Sequence, residues 1–267
     1  MLITALTMLP IKATAGCPQE NNAFFSGEQL TYELFFNWKF VWVKAGTASL
    51  KMDSFNYNGT AGYTNTLLAI SNKRADFFFK MRDTLKSVMT RELEPIYFRK
   101  GAEEGKRYTV DEAWFSHHDG KTYVKQRRLH KDGEITFSED TKDECVFDML
   151  NILARARSFD PTNYKVGQKI NFLMATGRKV EEQTLIYRGK KNFTAEDDKE
   201  TTYRCLVFSL VEYDKRGKEK EVITFYVTDD DNHLPVRLDL YLNFGSAKAF
   251  LKKVKGNRYP LSSIVKK

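Results

Sequence analysis

The chain has 267 residues, of which 42% are hydrophobic, 13% aromatic and 29% charged. That is too apolar and aromatic for a disordered chain, and no run of about 18 apolar residues marks a membrane-spanning helix. Lys and Arg number 43 against 35 Asp and Glu, a formal +8, but the surplus lies in Lys12 and in residues 248–267, and the neutral body between argues against a nucleic-acid-binding fold.

Residues 2–11 are apolar and run into Lys12 and the small residues Ala13, Thr14 and Ala15. This is the pattern of a secretory signal ending in a cleavage site. Residues 1–15 are therefore expected to be a signal peptide. No basic stretch precedes the apolar run, so the signal reads as incomplete at its N-terminus. Ala15-Gly16-Cys17 also resembles the end of a lipobox. Thr14 stands where that motif usually carries Leu or Val, so a soluble exported protein is expected over one anchored through Cys17. Residues 16–267 read as a single β-rich domain, with a subdivision near residue 160.

From Glu28 the chain alternates. Leu30, Tyr32, Leu34 and Phe36 share one face of a strand, and Gly46, Ala48, Leu50 and Met52 share a face of the next. Asn58-Gly59 is a hairpin turn signal. The clearest hairpin pairs Tyr108–His118 with Lys121–Leu129 across Asp119-Gly120. Two-residue closure sets Glu112 opposite Arg127, Asp111 opposite Arg128 and Val110 opposite Leu129. Facing opposite charges support that register. Asp132-Gly133 turns the chain into Glu134–Ser138.

One segment breaks the alternation. Cys145, Met149, Ile152 and Leu153 recur at helical spacing, so residues 144–157 read as an amphipathic helix. Asp143 is the expected N-cap, Arg155 and Arg157 suit the C-terminal end, and Asp160-Pro161 stops it. Strands follow at Lys169–Ala175, Arg178–Arg188, Tyr203–Tyr213, Glu221–Thr228, Leu234–Phe244 and Lys248–Val254. The expected fold is mainly β: a large curved or partly open barrel-like antiparallel sheet with one central α-helix.

Chemistry-bearing motifs are sparse. His117 and His118 are neighbours beside a turn, so on a strand they point to opposite faces. No spacing of His, Cys, Asp and Glu matches a metal site, and neither a metal nor a cofactor is expected. Asp229-Asp230-Asp231-Asn232 lacks the later residues of a calcium loop and reads as a polar turn. Cys145 and Cys205 are read either as a disulfide or as two buried thiols. No nucleophile elbow, phosphate loop or dinucleotide fingerprint occurs.

The aromatic run is more informative. Phe36, Trp38, Phe40 and Trp42 share one face by alternation. They form either a packed core or an apolar groove for a lipid or other apolar ligand. Near the C-terminus, Lys248, Lys252, Lys253 and Lys255 belong to a strand read as a solvated sheet edge, which offers a contact to an anionic envelope surface.

Several stretches together resemble one family. They are Gly27-Glu28-Gln29-Leu30-Thr31-Tyr32, Lys44-Ala45-Gly46-Thr47-Ala48, Phe77–Phe79 with Asp83, Phe147-Asp148-Met149-Leu150 through Arg155, and Thr228 to Arg237. Their order and spacing resemble the bacterial exported family called domain of unknown function 3108. The resemblance implies an antiparallel-β protein of the bacterial periplasm or outer envelope, and no catalytic residue follows from it. The closing Asp-x-Asn-x-Leu-Pro-Val-Arg stretch is also similar to a turn in envelope lipoprotein carriers with open barrels. The leading expectation is a non-enzymatic envelope protein that binds an apolar or amphipathic ligand, or a partner. A hydrolase of envelope glycan or lipid and a structural component of the envelope are the alternatives.

Overall fold

The computed structural model describes residues 16–38, 41–57, 59–77, 80–195, 201–242 and 245–265. The expected signal peptide, Phe40, Phe78, Phe79, Lys266 and Lys267 lie outside them. The chain opens with β1 (Phe24–Trp38), β2 (Val41–Tyr57) and β3 (Thr60–Ser71). A short α1 (Lys73–Asp76) leads to β4 (Met81–Thr90) and β5 (Pro95–Glu104). Then come β6 (Arg107–His118), β7 (Lys121–Leu129), β8 (Ile135–Lys142) and β9 (Val146–Phe147). The second helix, α2, spans Met149–Ala156. The remaining strands are β10 (Lys169–Ala175), β11 (Val180–Thr194), β12 (Thr202–Tyr213), β13 (Glu219–Thr228), β14 (Pro235–Leu242), β15 (Gly245–Asn257) and β16 (Ile264–Val265).

They form one 16-stranded sheet in the order β8-β7-β6-β5-β4-β3-β2-β1-β15-β14-β13-β12-β11-β10-β9, with β16 beside β12. All pairings are antiparallel except β9 with β10. Strands from both sides of residue 160 are thus joined in one sheet. The two ends of the order meet in space. Gly177, in the β10–β11 turn, donates its N–H to Gln126 of β7 at 2.9 Å. Ser138 of β8 donates to the Arg178 carbonyl at 2.7 Å. The result is a nearly closed, barrel-like sheet, as expected from the strand pattern. Gly177 fits its place for two reasons. Its φ is +85°, and a side chain there would overlap the Asp111 Cβ.

The β6–β7 hairpin has the register expected from sequence, with Val110 opposite Leu129, Asp111 opposite Arg128 and Glu112 opposite Arg127. Both charge pairs form ion pairs at 2.7 Å. The C-terminal lysines are not on an edge. β15 lies between β1 and β14, because it closes the two halves of the chain into one sheet. Among the lysines named for an envelope contact, Lys252 pairs with Glu33 at 3.4 Å, while Lys253 and Lys255 are exposed.

The helix is shorter than expected and differently capped. Asp148 is the N-cap, and its carboxylate accepts from the Leu150 and Asn151 N–H groups at 2.9 and 2.8 Å. Asp143 is exposed and reaches only Lys121. The physical reason is upstream pairing: Val146 and Phe147 are held as a strand against Leu173 and Met174. Cys145 is held as well, by a disulfide to Cys17 and not to Cys205. Cys205 is a buried free thiol. Burial, with Asp229 and Asp230 nearby, pushes it up to about 12, so it is an inert core residue.

The core draws on the whole sheet. Leu30, Tyr32, Phe98, Val124, Leu150, Phe193, Cys205 and Leu251 belong to one buried cluster. Helix α2 packs against β3 and β4. There Asn65 donates to the Leu150 carbonyl at 3.3 Å and Ser87 donates to Asp148 at 2.7 Å.

Candidate functional site: a cationic cavity at one end of the barrel

Directly paired residues on neighbouring strands share a face. One such row crosses seven strands: Leu30, Leu50, Leu67, Leu85, Lys100, Asp111 and Arg128. The row is apolar over β1–β4 and charged over β5–β7. This is the inner face, since Leu30, Leu50 and Leu85 are buried. Alternation puts buried Phe98, Ala113, Val124 and Gln126 on it too.

The charged part of the row floors a cavity of about 310 Å³. Its bases are Lys100, Arg107, Arg128, Lys131 and Arg178, and its acids are Glu104 and Asp111. His130, Ala102 and Thr109 complete the lining. Arg128 spends one nitrogen on Asp111 at 2.7 Å. Its buried Nε has no hydrogen-bond partner in the protein. Arg107, Lys131 and Arg178 are exposed at the mouth. Beside the cavity, Asp83 pairs in register with Ala102. Burial and the Glu104 carboxylate push the Asp83 carboxyl up to about 6, against the pull of Lys100. With five cationic groups and two acids the lining is net positive, a composition able to accept an anionic group, and guanidinium forks suit carboxylate or phosphate oxygens.

The opposite end of the barrel is filled by the chain itself. Arg155 donates to the Cys17 and Leu93 carbonyls at 2.6 and 3.1 Å. Arg157 forks onto the Glu28 carboxylate at 2.6 and 2.9 Å, with both side chains almost wholly buried. Its Nε reaches the Asn232 carbonyl at 3.1 Å. The Asp229–Asn232 stretch is a structural turn, as expected. Asn232 binds the Tyr259 and Pro260 carbonyls, and Asp230 accepts from Thr228 and Ser263. Among the described residues, no group of three or more His, Cys, Asp and Glu side chains could hold a metal ion.

The aromatic residues named from sequence do not form one stripe. β1 and β2 fold back on each other, with Trp38 opposite Val41, Asn37 opposite Trp42 and Phe36 opposite Val43. Phe36 and Trp42 therefore lie on opposite faces, because a turn interrupts the alternation between them. Lys248 sits 4.3 Å from the Trp42 ring centroid. Sequence reasoning missed the cavity residues. The available signal was parity: Lys100, Asp111 and Arg128 fall on the face of Phe98, Ala113 and Val124.

A second cavity, of about 330 Å³, lies by Trp114, Phe115, Tyr123 and Glu139 at the β6–β8 end of the sheet. Trp114, Lys125 and Glu139 pair in one row and Ser116, Tyr123 and Thr141 in another, so most of its lining belongs to the face opposite the inner-face Phe115 and Val124.

One solved structure shares the architecture. A β-barrel-like protein of domain of unknown function DUF1849 from Brucella abortus superposes with a TM-score of 0.56 at 10% identity, covering 87% of this chain and 98% of that one. A protein with a YmcC-like fold from Bacteroides fragilis gives a TM-score of 0.35 at 8% identity, over 90% of this chain and 100% of the other. The first likeness shows the fold alone. No curated protein matches the sequence. A family described as protein of unknown function (DUF3108) matches residues 31–252, most of the chain and nearly all of the barrel-like sheet, and the chain belongs to that family.

Proposed function

We propose that this is an exported, non-enzymatic protein of the bacterial cell envelope that holds a small molecule by an anionic group. The observation that carries the reading is the cationic cavity, with Lys100 and Arg128 on its inner-face row and Arg107, Lys131 and Arg178 exposed at its mouth. Export is supported by the apolar leader and by the Cys17–Cys145 disulfide, a bond that persists in oxidising compartments. The same bond occupies the thiol that lipid anchoring would use.

Titration calorimetry with inorganic phosphate and with short alkyl phosphates tests the reading. Binding is expected, with affinity falling as salt rises. Replacing Lys100 and Arg178 with Gln should weaken it by about ten-fold or more, since hydrogen bonds to charged groups contribute about 1.5–3 kcal/mol. Arg178 is exposed and Lys100 half-buried, so the melting temperature should hold. No heat with any anion, or equal affinity in the double variant, contradicts the reading.

A further inference from the structure

The end of the barrel that holds the cavity carries another surface. Antiparallel pairing puts the end of β1, the start of β2, α1, the end of β14 and the start of β15 at this end of the sheet. Val41, Trp42 and Val43 are 61%, 38% and 45% exposed. Successive strand residues point to opposite faces. The start of β2 is therefore exposed on both faces.

Phe77, directly after α1, is 86% exposed. Asn72 ties α1 to this hairpin, through its N–H to the Ala45 carbonyl at 2.8 Å and its side chain to the Lys44 carbonyl at 2.7 Å. Tyr241 and Leu242 are exposed at the end of β14. Leu242 pairs with Gly245, which abuts Phe36 and Asn37 of β1. Single exposed apolar residues are ordinary, but here they gather at the start of β2, just past α1 and at the end of β14, all at one end of the sheet.

Basic groups stand among these tips. Lys73 and Arg74 are exposed on α1, and Lys248 lies over the Trp42 ring. The nearby acids are already engaged, Glu33 by Lys44 and Lys252, and Asp76 by Arg82. The surface is therefore apolar at its tips and net positive around them.

We propose that this end of the barrel docks on an anionic lipid bilayer, with Val41, Trp42, Val43 and Phe77 entering the interface and Lys73, Arg74 and Lys248 facing the headgroups. A bilayer fits better than a protein partner because the apolar groups stand on separate tips and not on one flat patch. Trp is favoured at the membrane interface, and Lys and Arg can lay their stems along apolar surface while their charges reach the headgroups. The inference stands on the rim and not on the cavity.

Vesicle co-sedimentation of the full chain tests it, with phosphatidylcholine alone or mixed with phosphatidylglycerol. The protein is expected to pellet with the mixed vesicles and to be released by salt. A Val41→Ser, Trp42→Ser, Phe77→Ser variant should bind at least about ten-fold more weakly, given the apolar area removed. Lys73→Glu with Arg74→Glu should weaken binding to the anionic vesicles alone. These side chains are exposed, so far-ultraviolet circular dichroism and the melting temperature should match the parent. Residues 2–11 are common to every variant, so the comparison isolates the rim. The Val41→Ser, Trp42→Ser, Phe77→Ser variant should still bind inorganic phosphate like the parent in calorimetry, which separates a failure of the rim from a failure of the cavity. A parent chain that stays in the supernatant, or a triple variant that binds equally, overturns the proposal. Self-association abolished by the triple variant, without vesicle binding, assigns the surface to a second copy and overturns it too.

Discussion

Asp148 begins α2 with a carboxyl group that is wholly buried. Burial pushes it up to about 7, against the hydrogen bonds from Asn151, Ser87 and Leu150 that favour the charged form. In the unfolded chain an Asp titrates near 3.9. Between those values the native state holds a proton that the unfolded state has released, so stability should fall as pH rises from about 4 to 7. Asp83, raised to about 6, acts in the same direction. Asp148→Asn keeps the cap and removes this titration, so its denaturant midpoint should vary less between pH 5 and 8 than the parent's. Asp148→Ala should cost about 1 kcal/mol through the lost cap. A parent more stable at pH 8 than at pH 5, or identical slopes in parent and Asn variant, would falsify this assignment.

The elements are tied together by a buried ion pair. Glu28 of β1 meets Arg157 just past α2, and Arg157 also holds the turn at Asn232. Glu28→Gln leaves a buried guanidinium without its counter-charge, and urea unfolding should show a loss of about 3–5 kcal/mol. A loss below about 1 kcal/mol, the scale of an exposed pair, would show the pair to be solvated. Through Arg157 the pair joins three distant stretches, at Glu28, the end of α2 and Asn232. Sequence exposed some of this and hid the rest. The β6–β7 register was readable because Asp119-Gly120 fixes the turn and two charge pairs confirm it. β4 and β5 were not named, because Ser87 and Lys100 sit on the inner face and blur the alternation. Asp143 and Asp148 both suit a helix start, and only the pairing of Val146 and Phe147 with β10 decides between them. The Cys17–Cys145 bond was not readable, since its partners are 128 residues apart and Cys17 stood next to an expected cleavage site.

At the scale of the whole molecule, the barrel has two different ends. One is filled by α2, the disulfide and the Glu28–Arg157 pair. The other combines the cationic cavity with the exposed turn tips. The formal +8 takes on a different meaning here. The C-terminal lysines sit on a central strand, while Lys100 and Arg128 lie on the inner face, with Arg178 at the cavity mouth, in a stretch that is neutral overall. Charge balance along the sequence could not show this, because the compensating acids lie elsewhere on the surface. The central claim is that this cavity holds a ligand through an anionic group. Native mass spectrometry of protein recovered from bacterial envelope without detergent tests it most directly. A bound small acidic species is expected, retained by the parent and depleted in the Lys100→Gln, Arg178→Gln variant. A parent protein that flies empty, and stays empty after incubation with alkyl phosphates, would contradict it.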